Sequence, residues 1–562
     1  MPLDVASGPN PRSLSPWQTA VGVICAIITL VCVVLGFHIA LSAGPIWDDP
    51  VEIVMLHHQI AIGTRPDFSY EAGKQMLERS AQGGGFYGVV PQFVAHGLET
   101  LASGESWLKI TYTVKNIAWR HVVSFLFTLC AAAALFFTVA TLTGKFIAAM
   151  ATTAILLSTP VFLGMSVIDG KDSPVASGLT MLSCGLSLLL WHVRVRPTDV
   201  RLDVSLTPRF VLFAALLMIL SGSFLSFGTR AGALALIAVE CALTSAMIAI
   251  GLRKQVLRVL FVVGVLSIAA LAGIAAATLL NPLARKSVVR WIIESVAYAA
   301  NKSDGVQPLK LYGQTLRADG LPWWYLPGWV VAEYPGAFLV LLALGILAIY
   351  VGRGEARTAA YPWVPFFIQG LILPLCIVIS GAVIYDRLRH LLFIVPPLCM
   401  LAAFGFYSAL FRLKMAVRWA RITVGGGAVL MLLLNFSATW IWHPYQYAYL
   451  SEVARSLPQF AFDTDYLGLS IRESVERMKQ HAQRSFRAGP SPTFLSYDPQ
   501  QWGITVDYVS KGYPSHPDPI PGGGAYYVHS RPSWGAAGLP GFCRELFRIE
   551  RQGVILGVGG TC

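Results

Sequence analysis

Three short polar stretches of this 562-residue chain carry the residue types that could do chemistry. The first is Pro45-Ile46-Trp47-Asp48-Asp49-Pro50, with two adjacent acids. The second, Ile168-Asp169-Gly170-Lys171-Asp172-Ser173-Pro174, sets a lysine between two more. The third, Tyr385-Asp386-Arg387-Leu388-Arg389-His390, adds two arginines, an imidazole and a phenol. A carboxylate beside clustered cations suits transfer of a group away from a phosphate. A base must take the proton of an acceptor hydroxyl, and cations must hold the charge that grows on the departing phosphate. Asp48 or Asp49 would supply the base, and Lys171, Arg387, Arg389 and His390 the positive charge. Singly, each residue also has a plainer reading. An aspartate at a helix end caps it, and an arginine or histidine at a membrane boundary snorkels to the polar layer. Only convergence of the three stretches on one face would favour the chemical reading.

The elements between these stretches are apolar. The composition is 55% hydrophobic and 13% charged, with mean hydropathy +0.60. Soluble domains carry roughly 25% charged residues, so much of this surface must meet something other than water. The apolar residues fall in blocks about 20 residues long, the length that crosses a hydrocarbon layer about 30 Å thick. About eleven spans are expected, at 19–43, 119–141, 146–167, 174–193, 210–228, 232–251, 259–280, 329–351, 362–384, 390–411 and 422–442. The first block is too long for a cleaved leader and is read as a retained helix.

Orientation follows from the connecting loops. One set holds Lys145; Arg194, Arg196, Arg201 and Arg209; Arg253, Lys254 and Arg258; Arg353 and Arg357; and Arg412, Lys414, Arg418 and Arg421. The alternate short loops are poorer in Lys and Arg. The positive-inside bias puts the basic loops and the N-terminus in the cytoplasm, and all three acidic stretches and the C-terminus on the other side. In a bacterium that is the periplasmic face of the inner membrane. The net charge of +12 is explained by the same bias, and no basic-aromatic nucleic-acid module is present.

The fold class expected is an α-helical polytopic membrane protein with a small C-terminal α/β domain. Residues 1–442 form the membrane domain, with large external loops at about 44–118 and 281–328, and residues 443–562 the external domain. In the first loop Val51–Ile62 and Val89–Leu101 are amphipathic and suited to the interface plane. The tail has a Gly/Pro-rich stretch, Gly512–Gly524, and short β-like runs at Thr493–Tyr497, Ala525–His529 and Gly553–Val558. Cys25, Cys32, Cys130, Cys184, Cys241, Cys376 and Cys399 lie in apolar blocks as small hydrophobes. Cys543 and Cys562, in the tail, are a candidate disulfide. No Cys/His metal spacing exists.

At these motifs the sequence resembles the GT-C superfamily of polyprenyl-phosphate-sugar glycosyltransferases, close to protein O-mannosyltransferases and lipid A aminoarabinose transferases. Asp48-Asp49 resembles the family's acidic pair in the first external loop, where the first acid is the expected base; members usually carry Asp-Glu. Gly170-Lys171-Asp172-Ser173-Pro174 is similar to a Pro-Lys-Asp-x-Pro motif, with Gly in place of Pro. Similarity continues through Phe86-Tyr87-Gly88, Leu321-Pro322-Trp323-Trp324-Tyr325-Leu326-Pro327, the stretch from Tyr385 to His390, His443-Pro444-Tyr445-Gln446-Tyr447 and Asp463-Thr464-Asp465-Tyr466-Leu467-Gly468-Leu469-Ser470. Bacterial relatives commonly have Trp where Leu467 stands.

The resemblance implies an inverting transfer from a lipid-phosphate sugar to a hydroxyl of a glycan, lipid or protein acceptor. Asp48, Asp49, Asp169 and Asp172 are then the catalytic candidates. Lys171, Tyr385, Arg387, Arg389 and His390 are the donor-binding candidates. No cofactor is expected, and no metal: the four aspartates could hold a divalent ion, but no ligand spacing demands one. The rival function is a transporter or flippase of lipid-linked sugars. Transporters place ionisable residues midway through broken helices, often in repeated halves, whereas here the acids gather at one face and no repeat is evident. A membrane scaffold presenting the C-terminal domain would leave the turn motifs unexplained.

Overall fold

The computed structural model describes residues 15–80, 87–108, 114–194, 207–301, 308–351, 361–411, 418–458, 461–485, 493–496, 525–529 and 544–561. Phe86, Arg196, Arg201, Arg353, Arg357, Arg412, Lys414, Tyr497, Cys543, Cys562 and the stretch 512–524 lie outside the described residues.

Among the described residues nine helices are long and apolar enough to cross a membrane, and two bent pairs bring the number to eleven if each is one span. The nine are α1 (Pro16–Ser42), α5 (Val114–Thr143), α8 (Asp172–Arg194), α9 (Pro208–Thr229), α10 (Ala233–Gly251), α11 (Val256–Leu280), α16 (Tyr361–Ile379), α17 (Arg389–Phe411) and α18 (Arg418–Ile441). Between α1 and α5 lie α2 (Asp49–Thr64), α3 (Tyr70–Ser80) and α4 (Val90–Ser103). Proline opens several of these helices, where its missing N–H costs nothing and its fixed φ suits the first turn.

Two expected spans are not continuous. The 146–167 block divides into α6 (Phe146–Leu157) and α7 (Pro160–Ile168), bent by 69° at Ser158-Thr159. Pro160 cannot donate to the helix above it, so backbone groups at the break need other partners. They come from α18: Asn435 donates to the Ser158 carbonyl and hydroxyl at 3.0 and 2.9 Å, and Thr439 to the same carbonyl at 2.6 Å. The 329–351 block divides into α14 (Tyr325–Glu333) and α15 (Gly336–Val351), bent by 119° around Tyr334-Pro335. The apolar block therefore includes a helix steeply inclined to the one that follows it.

α8 is the centre of the bundle. Its hydropathic window is wholly buried, and it packs against α5, α9, α10, α16 and α17. Its close crossing with α9 needs small residues, as membrane helices commonly do. A Cβ added to Gly222 of α9 would stand 2.6 Å from the Gly178 carbonyl oxygen and 2.6 Å from the Leu182 nitrogen of α8. Cys25, Cys32, Cys184 and Cys399 are buried as expected. Cys130, on α5, is exposed.

The loop before α14 contributes α12 (Pro282–Lys286), α13 (Val288–Asn301) and a hairpin of β1 (Pro308–Leu311) with β2 (Gln314–Arg317). After α18 the chain returns to the bundle end: Trp47 N–H donates to the Leu467 carbonyl at 3.1 Å, and the Tyr447 ring faces that of Tyr466. Asp465 caps α19 (Ser470–Ser485), accepting from the N–H groups of Leu469 and Ser470 at 2.9 Å each. Among the described residues of the tail four strands follow, β3 (Thr493–Ser496), β4 (Ala525–His529), β5 (Arg544–Arg551) and β6 (Val554–Thr561), in the order β3-β4-β6-β5. β3 and β4 are parallel and the other pairs antiparallel, and Ser470 of α19 donates to the Leu556 carbonyl of β6.

Candidate active site

The three acidic stretches meet at one end of the bundle. Asp48 stands immediately before α2, and Asp169, Gly170 and Lys171 form the whole connection between α7 and α8. Arg389 opens α17. Lys171 Nζ is 3.5 Å from Asp48 Oδ1, and Arg389 Nη1 is 3.2 Å from Asp48 Oδ2. Asp48 thus bridges two cations from two different helix starts. Burial alone would raise its carboxyl, but Lys171, Arg389 and Arg230 outweigh it and hold Asp48 below the usual carboxylate range. Lys171 likewise loses by burial and gains more from Asp48 and Glu52, so its ammonium is held charged.

Behind Asp48 the other acids are enclosed. Asp172 lies 2.8 Å from Arg230 Nη2 and 3.6 Å from Arg389 Nε, and Asp386 is 3.5 Å from Arg389 Nη1. Asp49 accepts from Ile46 N–H at 2.8 Å and lies 3.7 Å from Arg120 and 3.6 Å from His121. Glu52, one helical turn along α2, pairs with Arg120, lies 3.6 Å from Lys171 Nζ and accepts from Gln92 at 3.2 Å. Asp169 is a cap: its Oδ1 accepts from the N–H groups of Lys171 and Asp172 at 2.8 Å each, while its Oδ2 is buried with no hydrogen-bond partner. Burial, then the charge of Asp172, push the Asp169 carboxyl up, so it leans towards the protonated form. A Cβ on Gly170 would stand 2.9 Å from Glu52 Oε2, so a larger residue there would have to displace the Glu52 carboxylate.

Accessibility sorts the acids. The Asp48 side chain is 24% exposed, against 5% for Asp172, 4% for Asp49 and 3% for Glu52. Around this opening the Tyr87 ring has Lys171 Nζ 5.3 Å and the Arg230 guanidinium 5.7 Å from its centroid. Tyr87 is fixed by a β-bridge to Arg230 and by the adjacent Gly88 N–H donating to the Thr229 carbonyl at 3.0 Å. Tyr385 lies under the Arg389 guanidinium at 5.4 Å and meets the His390 ring edge-on at 4.6 Å.

Arg387 is the exception among the expected donor-binding residues. Asp386 and Arg387 both have left-handed backbones, φ 54° and 66°. The turn sends Arg387 away from Arg389 and into the interior. It is fully buried and its N–H groups are consumed by the carbonyls of Asp463, Tyr449 and Ala448 and by Glu333 at 2.5–3.4 Å. Trp329 and Tyr466 flank its guanidinium at 5.1 and 5.3 Å. With no donor left and no exposure, Arg387 ties the tail motifs to α14 rather than facing the opening.

Glu52, Arg120, Arg230 and Gln92 belong to this cluster and were not singled out as functional from sequence. Glu52 had a signal, standing at i+4 from Asp48 and i+3 from Asp49. Arg120 at the start of an apolar span and Arg230 in the break between two spans look like ordinary boundary residues. Arg230 is paired with Asp172, and Glu240, deeper in the bundle, with Ser183. Among the described residues no group of three or more His, Cys, Asp or Glu side chains is arranged to hold a metal ion.

No protein-family model matches the chain, and no curated protein matches it by sequence. Among solved structures it is similar to the apo form of an oligosaccharyltransferase from Archaeoglobus fulgidus, at 14% identity and TM-score 0.48, covering 92% of this chain and 69% of that one. It is also similar to ArnT from Cupriavidus metallidurans bound to undecaprenyl phosphate, at 11% identity and TM-score 0.45, covering 97% of this chain and 98% of that one.

Proposed function

We propose that the protein is a membrane glycosyltransferase that moves a sugar from a polyprenyl-phosphate carrier to a hydroxyl of an envelope glycan, lipid or protein acceptor. The observation that carries this reading is Asp48, the most exposed acid of the cluster, set between Lys171 and Arg389 at the end of the bundle. A carrier lipid in the membrane would present its phosphate at that depth. The acceptor oxygen attacks the anomeric carbon and its proton passes to Asp48. The bond from that carbon to the phosphate oxygen breaks, and its electron pair stays on the phosphate. Lys171, Arg389 and Arg230 hold the added negative charge. Attack opposite the leaving phosphate inverts the anomeric centre. With Lys171, Arg389 and Arg230 supplying the positive charge, turnover is expected without a divalent ion. The active face is the one opposite the cytoplasm, following the loop charge.

The test is turnover of a polyprenyl-phosphate sugar by purified protein, with and without a chelator. Asp48→Asn keeps the shape and removes most proton affinity, and loss of a general base costs about 10²–10⁴-fold in rate. Full activity of Asp48→Asn in folded protein would overturn the assignment of the base, and loss of wild-type turnover in chelator would overturn the metal-free chemistry.

A further inference from the structure

We propose that Asp48 occupies, in the resting protein, the place of the donor phosphate, so that entry of the donor itself releases Asp48 to act as the base. The inference rests on the glycosyltransferase reading above and adds a coupling between the two substrates. A carboxylate that bridges an ammonium at 3.5 Å and a guanidinium at 3.2 Å makes the contacts a phosphate oxygen pair would make. Each cation also has acids behind it: Glu52 for Lys171, and Asp172 and Asp386 for Arg389. Those are enclosed, at 3–6% exposure, while Asp48 at 24% is on the open side. An anion arriving at the mouth therefore meets Asp48 first, and Asp48 is the partner it can displace without opening the core.

Charge points the same way. In this cluster, leaving aside Asp169, which leans towards the protonated form, and the imidazoles of His121 and His390, Lys171, Arg389, Arg230 and Arg120 face Asp48, Asp49, Glu52, Asp172 and Asp386, one more carboxylate than guanidinium and ammonium groups together. A phosphate added to that set is repelled unless a carboxylate leaves or takes a proton, since like charges in a water-poor site disfavour joint ionisation. Displacement achieves the first. It leaves Asp48 without its two cations, which restores proton affinity when the acceptor hydroxyl must lose a proton. A base clamped by cations is weak, and one freed by the donor is strong, so the ordering suppresses proton abstraction before the donor is in place.

The experiment is the affinity of purified protein for undecaprenyl phosphate in detergent micelles, measured for wild type and variants. Lys171→Gln and Arg389→Gln should each weaken binding by at least about tenfold, the loss expected for a charge-assisted contact. Asp48→Asn and Asp48→Ala should both tighten it by about fivefold or more, since the competitor is gone. Asp386→Asn removes the same charge from an enclosed position and should tighten it much less. If Asp48 variants bind no better than wild type while the cation variants bind worse, the displacement idea falls and the glycosyltransferase reading stands. Equal tightening by Asp48→Asn and Asp386→Asn would replace displacement with a general charge effect. Binding indifferent to Lys171 and Arg389 would overturn the phosphate site, and the inference with it.

Discussion

At the scale of single residues, the two arginines of one turn have opposite fates. Arg389 faces Asp48 and the opening, while Arg387 is spent on buried carbonyls and Glu333. Their substitutions should separate accordingly. Arg389→Lys keeps the charge but loses the guanidinium fork, and should raise the KM for the polyprenyl-phosphate donor by about tenfold at little cost in unfolding temperature. Arg387→Gln strands Glu333 and several carbonyls in the interior, and breaking a buried pair costs about 3–5 kcal/mol. It should lower yield and thermal stability in detergent, with near-normal donor KM in the protein that remains. A stable Arg387→Gln variant with a selective donor defect would return Arg387 to the binding site.

At the scale of elements, breaks in the helices matter as much as the helices. The α6–α7 bend frees backbone groups in the apolar layer, and α18 supplies their partners through Asn435 and Thr439. Asn435→Leu should cost about 0.6–2 kcal/mol, the range found for hydrogen bonds between membrane helices, read as a lower unfolding temperature. An unchanged midpoint would mean that the break is satisfied without α18. The junction after α18 is also held by an imidazole pair, His443 Nε2 at 2.8 Å from His38 Nδ1. Burial, then His38 and Arg551, push the His443 imidazole down to about 4. A histidine depressed in the folded state binds a proton more readily when unfolded. Its contribution to stability is therefore full above its ordinary value of about 6.5 and is lost as pH falls towards 4. Thermal unfolding of wild type should weaken across that window more than that of His443→Asn. Parallel profiles would show that His443 carries no such linkage.

At the scale of the whole molecule, the cluster draws on parts of the chain far apart in sequence, and all must reach the same side of the membrane. Reporter fusions after residues 416 and 480 should report opposite compartments, the first cytoplasmic and the second external. The expectation follows from the basic residues between Arg412 and Arg421 and from α18, which lies between the fusion points. If both fusions report one compartment, the orientation is wrong and the active face cannot be the external one.

The number and placement of the apolar helices were legible because each span is a local property. Some twenty consecutive apolar residues cross the layer whatever their neighbours do. The side on which the acidic stretches lie rests on loop charge, which the reporter fusions test. Helix continuity was not legible, because Pro160 and Pro335 permit a bend but do not set its angle, and the partners that satisfy a break come from elsewhere in the chain. The types of residue at the site were legible, but their pairing was not. Arg387 and Arg389 are two positions apart and chemically identical, and a left-handed backbone at Asp386 and Arg387 gives one to the core and the other to Asp48. Glu52, Arg120 and Arg230 join the cluster through contacts among α2, α5 and the α9–α10 junction. The sequence by itself determined which side chains could carry charge at the membrane surface. Only the tertiary structure decided which of those charges are already consumed by one another, because charge pairing depends on separations of a few ångströms that no linear spacing specifies.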